Sequence, residues 1–123
     1  MQIELKNKTI LITGVAGFIG ANLAQELLKT QSPVKIIGID NMNNYYDVSI
    51  KEYRLNKIEE AYVKNLESSW IFVKGNIADK SVVSNIFGTY QPDIVVNLAA
   101  QAGVRYSIMN PDAYIEANLI GFY

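Results

Sequence analysis

Thr13-Gly14-Val15-Ala16-Gly17-Phe18-Ile19-Gly20 is the stretch whose reading decides the fold. It follows the β-branched run Thr9-Ile10-Leu11-Ile12 and opens a segment in which Ile19, Leu23 and Leu27 step by four, the spacing of one helix face. A glycine turn between a strand and a helix needs its glycines for three separate reasons. One permits the tight turn, one lets the backbone approach a pyrophosphate, and one lets the helix pack closely on the strand. The helix N-terminus then offers unpaired N–H groups and a partial positive charge. Phe18 and Ile19 are expected to donate from the backbone while their side chains enter the core.

Outward from this loop the pattern repeats. Val34-Lys35-Ile36-Ile37-Gly38-Ile39, Trp70-Ile71-Phe72-Val73 and Ile94-Val95-Val96-Asn97-Leu98 are further short apolar runs, nearly continuous rather than alternating. Strands covered on both faces have that character. Between them, Leu55, Ile58, Tyr62 and Leu66 form one helical stripe, and Val82, Val83, Ile86, Phe87 and Tyr90 another, with Asp79 placed as an N-cap. Pro33 and Pro92 each follow a helix and precede a strand. A last helix is expected to start at Asn110-Pro111. The order β-α-β-α-β-α-β-loop-α predicts an α/β fold, a Rossmann-type doubly wound parallel sheet with strand order 3-2-1-4. Such a fold normally carries six strands. The chain is therefore expected to be a fragment, the N-terminal half of a dinucleotide-binding domain over residues 1–123, with later strands and a substrate domain beyond it.

The second strand ends at Asp40, twenty residues past Gly20. A carboxylate there accepts hydrogen bonds from the adenosine ribose hydroxyls and repels a 2′-phosphate. No arginine or lysine adjoins Asp40 in the sequence, so NAD is favoured over NADP. A purely structural turn with an incidental aspartate is the bland alternative. The conjunction of strand, glycine loop, helix, second strand and acid weighs against it.

Composition narrows the function classes. Eleven basic and twelve acidic residues give a net charge of −1, which argues against bulk electrostatic binding to nucleic acid or a membrane surface. The absence of cysteine and histidine removes disulfides, thiol nucleophiles, Ser-His catalysis and the commonest zinc ligands. The charged N-terminus does not read as a signal peptide, and no apolar run reaches membrane-span length. A cytoplasmic protein is expected.

The Gly-x-x-Gly-x-x-Gly spacing resembles the short-chain dehydrogenase/reductases, and Thr-Gly-x-x-Gly-Phe-Ile-Gly resembles their extended, nucleotide-sugar branch. Asp40-Asn41-Met42-Asn43-Asn44-Tyr45-Tyr46-Asp47 and Ala99-Ala100-Gln101-Ala102-Gly103-Val104-Arg105-Tyr106-Ser107 are similar to segments of the UDP-glucuronate 4-epimerases. The second stretch is the specific one. The resemblance implies that Asp40, Asn41 and Asn44 surround the adenosine ribose and that Asn76 and Ile77 lie beside the adenine. It also implies that Leu98, Ala99 and Ala100 pass under the cofactor, and it places Asn118 in an Asn-x-x-Gly helix motif. Asn76 and Asn44 stand where the family usually has aspartate. Gln101, Gly103, Val104, Arg105 and Ser107 would face the UDP-sugar. Arg105 either clamps a carboxylate or diphosphate or ties down its own loop, two roles of equal weight.

The family's reaction, as the resemblance implies it, inverts C4 of UDP-glucuronate through a transient 4-keto sugar, serving polysaccharide synthesis. A tyrosine base takes the proton, helped by a lysine four residues on. The chain holds one such spacing, Tyr53 and Lys57, but on the helix between strands two and three, where the pair reads as ordinary helix surface. The catalytic pair is expected beyond Tyr123, so this polypeptide alone is expected to be inactive. The outer edge of strand four would lack a partner, which predicts self-association of the fragment through that edge, with a homodimer for the full-length protein. The alternatives are another extended-family UDP-sugar enzyme (a dehydratase, decarboxylase or neutral-sugar epimerase) and a non-catalytic NAD-binding module.

Overall fold

The structure, a computed structural model, describes residues 5–42 and 48–99. Seven elements alternate along them: β1 (Thr9–Thr13), α1 (Phe18–Thr30), β2 (Lys35–Asp40), α2 (Val48–Val63), β3 (Ser69–Lys74), α3 (Lys80–Tyr90) and β4 (Ile94–Asn97). The four strands form one parallel sheet in the order β3-β2-β1-β4. The expected Rossmann-type topology and strand order are therefore observed. Individual boundaries differ slightly: β2 starts one residue later and includes Asp40, and β4 stops at Asn97.

Alternation along each strand divides the core into two layers, because successive side chains of a pleated strand point to opposite faces. Ile10, Ile12, Ile36 and Val96 pack with Ala21, Ala24, Leu27 and Leu28 of α1 and with Ile58 and Ala61 of α2. Leu11, Ile37, Ile39 and Val95 pack on the other face with Ile77 and with Ile86 of α3. Both faces of β1 and β2 are thus covered, which accounts for their unbroken apolar sequence. The edge strand β3 is only half-buried along Trp70–Val73.

Turn chemistry fixes where the elements begin and end. The Asp79 carboxylate accepts from the backbone N–H groups of Ser81 and Val82, as its N-cap position predicts. At the other pole, the Ser68 hydroxyl accepts from Val34 N at 2.9 Å and meets Ser32 Oγ at 2.6 Å. Ser32 Oγ in turn donates to Leu28 O at the end of α1. Leu66 falls outside its expected stripe, because α2 ends at Val63 and Leu66 stands exposed beyond it. The Asn110-Pro111 helix lies outside the described residues. Among those described, no helix is long and apolar enough to cross a membrane, and no group of three His, Cys, Asp or Glu is placed to hold a metal ion.

Candidate functional site at the carboxyl ends of the strands

The glycine loop turns off β1 under backbone control. Gly14 N and Val15 N both donate to Ile39 O, at 2.9 and 3.3 Å, and Gly17 N donates to Gly14 O at 3.0 Å. Gly14 has φ +68°, and a Cβ there would sit 2.8 Å from Ala99 N. Left-handed backbone and close approach of β4's exit both require glycine at this point. A Cβ on Gly20 would lie 2.5 Å from Gly14 O, so its absence lets the first turn of α1 rest on the loop. Gly17 is the N-cap of α1 and supplies no side-chain bond to the helix's first N–H groups. That is the arrangement of a helix N-terminus able to receive an anion.

The loop and the tip of β2 are joined directly. Asp40 Oδ2 accepts from Ala16 N at 3.0 Å, and Asp40 Oδ1 accepts from Met42 N at 2.9 Å. Lys51 Nζ, from α2, lies 3.2 Å from the same Oδ1, with both side chains almost fully buried. No cation adjoins Asp40 in the sequence, but the fold brings one to it. The lysine is eleven residues away in the chain, and the first turn of α2 returns it to the strand tip. One helical turn further on, Arg54 Nη1 donates to Ala16 O at 3.3 Å, and its guanidinium lies 5.9 Å from the centre of the Phe18 ring. Asp40 and Arg54 therefore bind Ala16 through its N–H and its carbonyl, and Lys51 joins through Asp40.

A second polar cluster ties β4 to β1. The Thr13 hydroxyl donates to Asn97 Oδ1 and accepts from Leu98 N at 3.0 Å and Ala99 N at 3.2 Å. Thr13 and Asn97 are both buried. Leu98 and Ala99 are thereby held beside Gly14. Gly75 N donates to Asp40 O at 3.1 Å, which brings the turn after β3 to the same end of the sheet. There Asn76 is exposed and its Oδ1 accepts from Ala78 N at 2.9 Å, while Ile77 is buried in the second core layer.

Of the residues expected to contact cofactor, Gly14, Gly17, Asp40, Asn41, Asn76, Ile77, Leu98 and Ala99 thus belong to the carboxyl ends of the four strands and the turns that leave them, and Phe18, Ile19 and Gly20 to the first turn of α1. One expectation is overturned. The side chains of Phe18 and Ile19 do not enter the core: they are 69% and 65% exposed. Close approach of α1 to the sheet needs its small residues, so Gly20, Ala21 and Ala24 turn inward and rotate Phe18 and Ile19 out. Asn44, Ala100, Gln101, Gly103, Val104, Arg105, Ser107 and Asn118 lie outside the described residues. Tyr53 and Lys57 behave as helix surface: Tyr53 is 60% exposed, Lys57 Nζ sits over its ring, and Lys57 pairs with Glu60 at 3.6 Å.

Sequence reading missed Thr13, Asn97, Gly38, Lys51 and Arg54. A Cβ on Gly38 would fall 2.7 Å from both Trp70 and a Val15 methyl, so this glycine seats the loop's valine on β2. Its signal was available, since glycine inside an apolar strand marks close approach. The Lys51 and Arg54 contacts had none, because only the path of α2 brings them there.

Comparison with known proteins agrees with this architecture. The family described as GDP-mannose 4,6 dehydratase matches residues 11–123. Protein CapI of Staphylococcus aureus is 49% identical over 113 residues, which cover 92% of this chain and 31% of that protein. A UDP-glucuronate 4-epimerase of Thermodesulfobacterium geofontis is 40% identical over 111 residues, covering 90% of this chain and 32% of its own length. The chain thus spans about a third of the length of these relatives. Among solved structures, the Bordetella bronchiseptica enzyme WbmG in complex with NAD superposes with a TM-score of 0.55 at 25% identity, covering 89% of this chain and 28% of that one. The chain belongs to the GDP-mannose 4,6 dehydratase family, within the extended short-chain dehydrogenase/reductases.

Proposed function

We propose that this chain is the NAD-holding part of a nucleotide-sugar epimerase that inverts C4 of UDP-glucuronate. The observation that carries the cofactor reading is the Asp40 Oδ2 to Ala16 N bond, which places a carboxylate against the glycine loop of β1. The residues fit a dinucleotide: an uncapped helix N-terminus for the pyrophosphate, close-packed glycines, and a buried acid for the ribose. A carboxylate offers about four acceptor positions. Ala16, Met42 and Lys51 engage three of them among the described residues, which leaves room for a ribose hydroxyl. When bound, NAD supplies a hydride acceptor and donor.

In this reading Gly14, Gly17, Gly20 and the Phe18 and Ile19 amides hold the pyrophosphate. Asp40, Asn41 and Asn44 hold the ribose, and Asn76 and Ile77 flank the adenine. Leu98, Ala99 and Ala100 pass under the cofactor, Asn118 of the Asn-x-x-Gly motif belongs to the same cofactor-binding set, and Gln101, Gly103, Val104, Arg105 and Ser107 face the sugar. The UDP-glucuronate assignment is supported by the 40% identical epimerase and by the Ala99-to-Ser107 segment. The chain forms the N-terminal part of the enzyme and depends on further sequence for its tyrosine base, so alone it is inactive. The outer edge of β4 is the surface through which it self-associates, and the whole enzyme is a cytoplasmic homodimer.

The test is product analysis. The complete protein carrying this chain, incubated with UDP-glucuronate, is expected to yield UDP-galacturonate by proton NMR. Conversion of UDP-glucose with UDP-glucuronate left untouched would overturn the substrate assignment.

A further inference from the structure

The Asp40 carboxylate is not a lone charge at the ribose edge. Lys51 Nζ sits 3.2 Å from Oδ1, with the two side chains 10% and 6% exposed. Arg54 approaches from the next turn of the same helix, bound to Ala16 O, the peptide neighbour of the Ala16 N that Asp40 Oδ2 receives. Lysine as a point charge and arginine as a planar fork are the side chains that bind phosphate monoesters. Charges at these separations in partly buried surroundings interact strongly.

We propose that Lys51 and Arg54 are specificity-determining residues: a latent 2′-phosphate site that the negative charge of Asp40 keeps shut. The inference rests on the cofactor reading above and deepens it. With Asp40 ionised, Lys51 is neutralised and a 2′-phosphate meets an adjacent carboxylate, so the unphosphorylated dinucleotide is selected. With the carboxylate charge removed, Lys51 and Arg54 present two positive charges to a 2′-phosphate. The chain selects NAD through a charge pair, and removing either member moves selectivity in opposite directions. A carboxylate acting alone would predict no role for Lys51 in discrimination.

The experiment is calorimetric titration of the complete protein carrying this chain with NAD and with NADP, read as the ratio of the two dissociation constants. Asp40→Asn is expected to shift the ratio toward NADP by about tenfold or more. Adding Lys51→Met or Arg54→Met in that background is expected to reverse at least half of the shift on a logarithmic scale. In the parental background, Lys51→Met removes the cation beside Asp40 and is expected to move the ratio toward NAD by about threefold. A double variant with the same ratio as Asp40→Asn would overturn the proposal, as would loss of both dinucleotides in equal proportion. If Asp40→Asn fails to fold, the parental-background Lys51→Met decides, an unmoved ratio counting against the proposal. A complete parental protein that binds neither dinucleotide overturns the cofactor reading and this inference with it. Parental binding with an unmoved ratio overturns the inference alone.

Discussion

The Thr13 hydroxyl donates to Asn97 Oδ1 at the carboxyl ends of β1 and β4, and in the same position it accepts the amides of Leu98 and Ala99. One buried side chain therefore sets where β4 leaves the sheet. Its partners pass within contact of Gly14, whose missing Cβ makes the approach possible. The geometry of the glycine loop and that of the fourth strand's exit are thus one problem with one solution.

Thr13→Val removes the hydroxyl at nearly constant shape. Asn97 Oδ1 loses its donor and Ala99 N its acceptor, while Leu98 N keeps the Thr13 carbonyl at 3.2 Å. Buried polar groups left without partners cost about 1–3 kcal/mol each. A net loss of about 2–3 kcal/mol is expected in urea unfolding. Amide hydrogen exchange at Ala99 should accelerate well beyond that at Ile12, and uniform acceleration would show that the cluster holds nothing locally.

Gly20 and Gly88 offer a paired test of helix glycines. Helical propensity alone makes glycine to alanine favourable by about 1 kcal/mol. At Gly88 in α3 nothing lies within 4 Å of the added Cβ, so Gly88→Ala should stabilise by about 0.5–1 kcal/mol. At Gly20 the added Cβ meets Gly14 O at 2.5 Å and Val15 Cα at 2.9 Å, both backbone groups that have no rotamer to yield. Overpacking costs about 1–3 kcal/mol and wins there. Opposite signs in thermal denaturation are expected; the same sign at both sites would mean that α1 does not rest on the loop.

The two variants also show why some of this site was legible before the structure and some was not. The glycine loop, Asp40 and the strand order follow from local rules: turns need glycine, buried parallel strands need apolar runs, and crossovers are right-handed. Those rules act over a few residues and leave a mark in the sequence. The stripe of Ile19, Leu23 and Leu27 holds at Leu23 and Leu27, which pack in the core, but fails in the first turn, where proximity of the sheet favours Gly20, Ala21 and Ala24 and leaves Ile19 outside. Size, not hydrophobicity, decides that rotation. Lys51 and Arg54 reach the site through the trajectory of α2, and no local pattern encodes a trajectory.

Asp79 gives the fold a pH dependence with a definite sign. Its pKa is lowered from the ordinary carboxylate value of 3.8, first by the Ser81 hydroxyl and then by the Ser81 amide; desolvation opposes them, and the Val82 amide adds the least. A carboxylate held lower in the folded state than in the unfolded chain binds fewer protons when folded. Its contribution is therefore complete above the unfolded value and disappears as the pH falls through the folded one. Asp79→Ala should lower the melting temperature at neutral pH and flatten its decline on acidification below about pH 4. Ser81→Ala removes the largest cause of the shift but keeps the backbone bonds, so it should give an intermediate slope. Because the carboxylate is exposed, added salt should narrow the difference between parent and variant. Parallel melting curves for parent and Asp79→Ala across that acid range would show that the cap bonds do not discriminate between the charged and the neutral carboxyl.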